Sequence, residues 1–314
     1  MVRYTFLLFL LLLAVPFGYG QNYDANHEKL HALLDSVDIM QEEGRYNEVQ
    51  ELLPKLKPLL AGDTDRSLVR HYHFTLGYYF FQTRQIPKAL EHLSKAKKLL
   101  GQDADSNTYS AIYSALGNVY TVSGDGNKAL AYFDEALNFI GPSENLRKSG
   151  ILLNKANVFS QLNRYQEALK NLQQAKKIFT ETNSYRYLAL VENNIGELYR
   201  QRLAEYEKAK QHYYKAIVAN KKANHPSGLA QNYHNLANAH LYTSVDSALY
   251  YAEKSLALKQ ELGDVGGQTS ALHLMGSVYQ KMDDLEEAKS YYLKSLEQSK
   301  KFGLTQGVYS RHND

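Results

Sequence analysis

Apolar and small residues recur along the chain in a fixed order, and polar residues fill the positions between them. One copy of the pattern consists of His73, Leu76-Gly77, Phe80, Ala89, Leu93 and Ala96. The next copy repeats the same offsets with Tyr113, Leu116-Gly117, Tyr120, Ala129, Phe133 and Ala136. Spacings of three and four predict amphipathic helices, and turn residues such as Gly124-Asp125-Gly126 separate the two halves of each copy. Each copy therefore predicts two antiparallel helices, A then B.

Seven copies of this pattern follow one another. Their small-residue markers in helix A are Val37, Gly77, Gly117, Ala156, Gly196, Ala237 and Gly276. The intervals between successive markers are 40, 40, 39, 40, 41 and 39 residues. A helix pair of this size is too small to bury its own apolar face, so successive pairs must stack on one another. We expect the regularly placed aromatics, such as Phe80 and Tyr120, to fill the space between successive pairs.

The order of aromatic, Leu-Gly, Tyr and then Ala, Phe, Ala resembles the tetratricopeptide repeat over essentially the whole mature chain. The family's usual period is about 34 residues, so this chain is similar to a long-period bacterial type with a signal peptide. The resemblance implies an all-α fold, a right-handed superhelical solenoid of antiparallel helix pairs. It also implies a binding scaffold that holds a protein or peptide in its concave groove, and not an enzyme.

The repeats and the chain ends give an expected domain organisation. Residues 1–20 are expected to be a signal peptide, and 304–314 an incomplete eighth helix or a tail. The seven repeats are expected at about 24–62, 66–103, 106–143, 145–183, 185–225, 227–264 and 266–303. The last B helix carries apolar positions that a following pair would cover, so self-association through the C-terminal repeat is possible.

The N-terminus has the three parts of a secretory signal peptide. Arg3 follows the first two residues, a leucine-rich stretch covers 6–15, and Gly18-Tyr19-Gly20 places small residues before a cut at Gln21. An uncleaved anchor is the alternative, but the stretch is shorter than the roughly 20 residues that span a bilayer. We expect an exported protein, periplasmic or secreted.

Composition excludes several functions. The chain has 44% hydrophobic and 22% charged residues, so it can form a core. It contains no cysteine, which excludes disulfides and thiol catalysis. The formal charge of +3 is spread along the chain without a basic run, so we expect no nucleic-acid partner. Packing accounts for the 26 tyrosines without a cofactor, and we expect none.

One motif could carry chemistry. The segment from His27 and Glu28 to His31 fits H-E-x-x-H, in which two histidines four apart on a helix hold zinc and the glutamate acts as base. Glu51 could supply a third ligand. The motif opens the first repeat with polar residues before it, whereas zinc-protease helices lie inside a catalytic domain. A zinc metallohydrolase is therefore a remote alternative, and we expect no metal.

By the resemblance, a set of helix A positions lines the concave groove. The candidate groove residues are His71, Phe74, Tyr78, Phe81, Asn118, Asn154, Asn157, Asn193, Asn194, Glu197, Arg200, His234, Asn235, Asn238, His273 and Gln280. A row of asparagines can hydrogen-bond an extended peptide backbone, because each amide offers an acceptor and two donors. The alternative is that these asparagines bridge neighbouring helices.

Two further interpretations concern the groove and the whole chain. The four candidates at its N-terminal end, from His71 to Phe81, form an aromatic cluster that could hold an apolar anchor or belong to the core. A signal peptide followed by helical repeats of this length also resembles the extracytoplasmic sensory region of certain bacterial signal transducers. A stand-alone or truncated sensory region is thus the alternative to an adaptor.

Overall fold

The computed structural model of the chain describes residues 25–60, 63, 65–141 and 144–302. These ranges contain fourteen helices and no strand. The helices are α1 (Ala25–Glu42), α2 (Tyr46–Leu60), α3 (Arg66–Gln82), α4 (Ile86–Lys98), α5 (Ser106–Val122), α6 (Gly126–Asn138), α7 (Asn145–Gln161), α8 (Tyr165–Glu181), α9 (Tyr185–Arg202), α10 (Tyr206–Lys222), α11 (Pro226–His240), α12 (Val245–Glu261), α13 (Val265–Lys281) and α14 (Leu285–Lys301). The expected signal peptide and tail lie outside these ranges.

The helices form two compact units, α1 to α7 and α8 to α14. Within each unit most helices pack against the next one in the chain, as in a helical solenoid. The odd-numbered helices, which are the A helices, also approach one another directly, for example α3 and α5 or α9 and α11. No two B helices in the described ranges approach each other to a comparable extent. The A helices therefore line the inner side of the stack in each unit.

Glycine at the marker position permits the close approach of helices A and B within a pair. A Cβ atom at Gly77 would lie 2.7 Å from Leu93 Cγ, and one at Gly117 would lie 2.6 Å from a ring carbon of Phe133. Such distances are well inside van der Waals contact, so any larger residue would force the helices apart. The conserved offset between marker and partner explains why the sequence pattern repeats so regularly.

Six of the seven turns from helix A to helix B share a local conformation. The middle residue of each of these six turns has a positive φ, at Gly44, Arg84, Gly124, Asn163, Ala204 and Asp283. In several loops an aspartate caps the N-terminus of the helix that follows. The Asp65 carboxylate, for example, accepts a hydrogen bond from Ser67 N at 2.7 Å. These local interactions fix where the capped helices begin.

Four of the regularly spaced aromatics contact a ring of the paired B helix, and Phe80 and Tyr279 also pack against core clusters that include residues of the preceding pair. Tyr120 stacks on Tyr132 of the paired B helix, with ring centroids 5.3 Å apart. A lysine at the start of the same B helix, Lys128, lies 5.3 Å from the Tyr120 ring. Cation–π contact and stacking together hold this end of the pair.

No helix in the described part of the chain is both long and apolar enough to cross a membrane.

Candidate ligand-binding face

Three of the four residues of the expected aromatic cluster are buried. Phe74 and Phe81 are 6% and 7% exposed and pack in the core formed by α3, α4 and α5. Tyr78 is buried as well, and this burial raises the pKa of its hydroxyl to about 12. The structure thus corrects the hypothesis of an open aromatic pocket, because these side chains fill the interior instead.

The remaining member of that cluster, His71, is paired with a carboxylate. His71 Nε2 lies 2.6 Å from Asp38 Oδ2, and the Thr75 hydroxyl donates to the other oxygen of Asp38 at 2.8 Å. Burial by itself lowers the pKa of His71, but the hydrogen bond and the charge of Asp38 more than offset this and raise it. This pair joins α1 to α3 across the inner side of the unit.

The asparagines of α5 and α7 are only partly engaged with each other. Asn154 Nδ2 donates to Asn118 Oδ1 at 3.0 Å, which joins the two helices. Asn157, one turn further along α7, keeps a buried Nδ2 that has no hydrogen-bond partner within the described ranges. An unpaired buried amide is costly, so this side chain has unused binding capacity.

In the second unit an amide network joins α9, α10 and α11. Asn193 Oδ1 accepts from Asn232 Nδ2 at 3.0 Å and from Asn235 Nδ2 at 2.8 Å. Asn220 at the end of α10 donates to Asn232 Oδ1 at 2.6 Å. These asparagines bridge neighbouring helices, as the alternative interpretation of the asparagine row expects. Asn194, beside Asn193, is half-buried.

A second polar group lies one turn along α9. Arg200 Nη2 donates to Glu197 Oε2 at 2.9 Å, and the hydroxyl of buried Tyr213 donates to Glu197 Oε1. Burial raises the pKa of Tyr213 well above its usual range, with the charge of Glu197 adding to the effect. Arg200 and Glu197 both stay partly exposed, so their polar atoms are within reach of a ligand.

His234 of α11 is the candidate whose surroundings differ most from those of the others. Its Nδ1 is buried and has no hydrogen-bond partner within the described ranges. Burial lowers the pKa of His234 well below its usual value, and the positive charges of Lys259, Arg200 and His273 lower it further. The ring is therefore neutral at physiological pH. One turn further, Asn238 Nδ2 donates to the His234 carbonyl at 3.0 Å.

The two candidates of α13 lie on the surface. His273 and Gln280 are exposed, and Tyr292 of α14 contacts both. The His273 and Tyr292 ring centroids lie 5.1 Å apart, and the Tyr292 hydroxyl donates to Gln280 Oε1 at 2.9 Å. The second unit therefore presents polar groups on α9, α11 and α13.

Known repeat families match several of these helix pairs in sequence. Sequence profiles described as tetratricopeptide repeat match residues 108–181, 147–222 and 269–302, which span α5 to α10 and then α13 with α14. The chain contains tetratricopeptide repeats. No curated protein sequence matches the chain.

Solved structures with the same fold cover most of the chain. Aspartyl phosphate phosphatase F from Bacillus subtilis is 17% identical over 90% of this chain and 96% of its own, with a TM-score of 0.66. The quorum sensor NprR from B. thuringiensis is 18% identical over 88% and 79%, with a TM-score of 0.60. NprR in complex with its cognate peptide NprX is 18% identical over 89% and 80%, with a TM-score of 0.56. Identities this low show a shared tetratricopeptide-type fold.

The H-E-x-x-H segment lies on α1 in the first repeat. His27 Nδ1 lies 2.9 Å from Asp63 Oδ2, and His31 Nδ1 lies 3.0 Å from Asp35 Oδ2. Leu30, between them in the motif, is fully buried in the repeat core. Glu51, the suggested third ligand, is an exposed residue of α2, and the described ranges hold no cluster of three ligand-type side chains.

Sequence reasoning missed one residue beside the candidate face, Lys259 near the end of α12. It is 3% exposed, and its Nζ has no hydrogen-bond or ion-pair partner within the described ranges. Burial lowers its pKa to about 8. Aligning the B helices would have revealed it, because Phe179, Asn220 and Ser299 occupy the same buried position in other repeats.

Proposed function

We propose that the chain is a non-enzymatic scaffold that binds a peptide, or a peptide-like segment of a protein, along the A helices of its second unit. The ligand lies across α9, α11 and α13 and contacts Arg200, His234 and Asn238. The observation that carries this proposal is the unpartnered Nδ1 of His234 within a row of polar side chains. A buried polar group without a partner costs stability, and a ligand that pairs with it recovers that cost.

Peptide binding also agrees with the kind of fold. Tetratricopeptide-type stacks present a long inner surface on which an extended chain can contact several repeats at once. One structure with this fold, NprR, holds its cognate peptide NprX. The shared fold does not transfer that ligand, nor the phosphatase activity in the name of another neighbour, because function depends on the site. The support here comes from the polar row itself.

The scaffold is proposed to act outside the cytoplasm. The support is the leader at 1–20, with its positive start, leucine-rich core and small residues before Gln21. A sensory region of a signal transducer is the alternative, and it would use the same inner face. Both the scaffold role and the sensory role require export, so measuring the localisation of the protein tests the two together. The identity of the ligand distinguishes one role from the other.

The test of the binding role is a peptide array probed with protein purified from cells that express the full chain. Binding by wild type followed by loss of affinity in Arg200→Ala supports the proposal. The matched control is Arg202→Ala, because Arg202 is exposed on the same helix and outside the candidate row. If no peptide of any sequence binds, or if both arginine variants lose affinity equally, the proposed face is not a peptide site.

An asparagine variant extends the test along the row. Asn238→Ala should lose about 1 kcal/mol of binding free energy if its amide contacts the ligand. Asn138→Ala on the exposed end of α6 is the control for a change of asparagine elsewhere. A lower melting temperature with unchanged affinity in Asn238→Ala would instead assign this amide to the fold.

A further inference from the structure

The hydrogen-bonded asparagines of α9, α10 and α11 can be compared with the residues at the equivalent positions one repeat later. Asn220 at the end of a B helix donates to Asn232, and Asn232 donates to Asn193 of the preceding A helix. The middle asparagine thus satisfies a group on each side of it. Asn220 and Asn232 are 3% and 2% exposed, and their side-chain amides are used within the relay.

One repeat later, the same three positions hold different side chains. Positions are counted from the small-residue marker of each A helix and the first alanine of each B helix. Lys259 then corresponds to Asn220, Ala271 corresponds to Asn232, and His234 corresponds to Asn193. Ala271 is buried and ends at its Cβ, so it cannot connect the two polar residues as an asparagine does. Accordingly, His234 Nδ1 is buried without a hydrogen-bond partner, and Lys259 Nζ forms no hydrogen bond or ion pair within the described ranges.

The groups around this pair leave a positive charge without a counterion. Asp264 acts on Lys259 through its charge, but its carboxylate caps α13 by accepting from Gly267 N and does not form an ion pair with Lys259. Arg200 faces His234 and is itself paired with Glu197. Lys259 therefore has no counterion, and its charge acts on the neutral, partly exposed His234 of the candidate face.

We propose that His234 and Lys259 form a carboxylate-binding niche, which selects an acidic side chain or the C-terminal carboxylate of the bound peptide. This inference rests on the proposed function, since it adds a chemical preference to the same face. One carboxylate oxygen accepts from Lys259 Nζ and the other accepts from the N–H of the neutral His234 ring. The carboxylate takes the bridging role that Asn232 has in the preceding repeat.

A carboxylate fits this niche better than a neutral acceptor does. Lys259 brings a full positive charge and only donors, and a neutral histidine brings one N–H donor. A backbone carbonyl could accept from one of them but would leave the buried charge uncompensated, which is expensive. A carboxylate supplies two acceptor oxygens and one negative charge, and hydrogen bonds between charged partners are about twice as strong as neutral ones.

The experiment is the same peptide array with every sequence made in three forms. The first form keeps its Asp and Glu residues and has an amidated C-terminus. The second has Asn and Gln in their place and a free C-terminal carboxylate, and the third has neither carboxylate. Comparing the first two forms distinguishes the two possible sources of the carboxylate, and the third form is the blank.

Three variants are compared with wild type. Lys259→Met removes the charge at nearly constant volume, and Ala271→Asn should close the relay as Asn232 does. Lys254→Met is the matched control, because Lys254 is an exposed lysine of the same helix whose Nζ lies 4.3 Å from the Tyr250 ring centre. Circular dichroism at 222 nm verifies that each variant is folded.

The expected result is that wild type binds at least tenfold more tightly to peptides that carry a carboxylate than to the blank. Lys259→Met and Ala271→Asn should abolish that preference, and Lys254→Met should keep it. Should the blank bind as well as the other forms, or Lys259→Met retain the preference, the niche is refuted and peptide binding stands. If no form binds wild type, peptide binding and the niche both fail.

Discussion

Replacing Lys259 by methionine should stabilise the free protein near neutral pH. Lys259 is 3% exposed, and its Nζ has no partner of opposite charge within the described ranges. Holding a charge in such a place costs free energy, because water solvates an ammonium group far better than the protein interior does. Methionine has a similar length and no charge, so it fills the same space without that cost.

The size of the gain follows from the lysine pKa. Burial lowers the pKa of Lys259 from its ordinary 10.5 to about 8, and each pH unit between the two values corresponds to ~1.4 kcal/mol. The charged form is therefore disfavoured in the folded state by about 3 kcal/mol. This cost is fully present below pH 8, shrinks as the pH rises from 8 to 10.5, and is absent above that range. Lys259→Met should thus gain up to ~3 kcal/mol at pH 7 and much less at pH 10.5.

Urea unfolding followed by circular dichroism at pH 7 and pH 10.5 measures this difference. Lys254→Met is the control, since an exposed substitution on the same helix should change stability by less than about 0.5 kcal/mol. Comparing variant with wild type at each pH removes the contribution of every other titrating group. A Lys259→Met variant that is less stable than wild type at pH 7, or whose gain is the same at both pH values, would refute the reasoning.

Three further predictions concern export, packing and the last repeat. N-terminal sequencing of the exported protein should show that the mature chain begins at Gln21, and a retained leader would contradict the signal-peptide interpretation. Gly117→Leu should lower the free energy of unfolding in urea by about 1–3 kcal/mol, because the leucine side chain would overlap Phe133. If the variant is as stable as wild type, the close approach of the helices is not the reason for glycine at this position. Leu293, which is 54% exposed on α14, should mediate self-association; sedimentation should show dimers that Leu293→Glu dissociates, and a strictly monomeric wild type would exclude this surface.

The helices could be predicted because the same packing contact requires the same type of residue at equivalent positions of the repeats. Gly77 and Gly117 differ in their partners, Leu93 and Phe133, but each glycine accommodates the side chain at the same offset. The direction of the aromatic side chains could not be predicted in this way. A tyrosine such as Tyr120 satisfies the pattern equally well whether it packs within its pair or against the next one, and only the structure shows its ring on Tyr132.

The candidate face was predictable in its residue types but not in its bonding. The asparagine pattern indicates amides on the inner side of the A helices, yet an amide that bridges helices and one that awaits a ligand have the same sequence. Asn193 Oδ1 accepts two hydrogen bonds because Asn232 and Asn235 reach it, and both of those partners depend on the register of the next helix. Partner choice of this kind follows from three-dimensional placement, which a single repeat does not encode.

Differences between equivalent positions of neighbouring repeats carry information that the shared pattern lacks. Equivalent positions follow one another in the same order on the helices of each repeat, so a change of side chain at one position has a defined physical consequence. Replacing an asparagine of the relay by Ala271 removes two hydrogen bonds, and placing Lys259 at the adjoining position adds a buried charge. Both changes lower the stability of the free protein and neither improves packing. A ligand carboxylate would reverse both costs at once, whereas a purely structural role would leave them uncompensated. For this reason the stability gain and the binding loss of Lys259→Met should occur together in one variant.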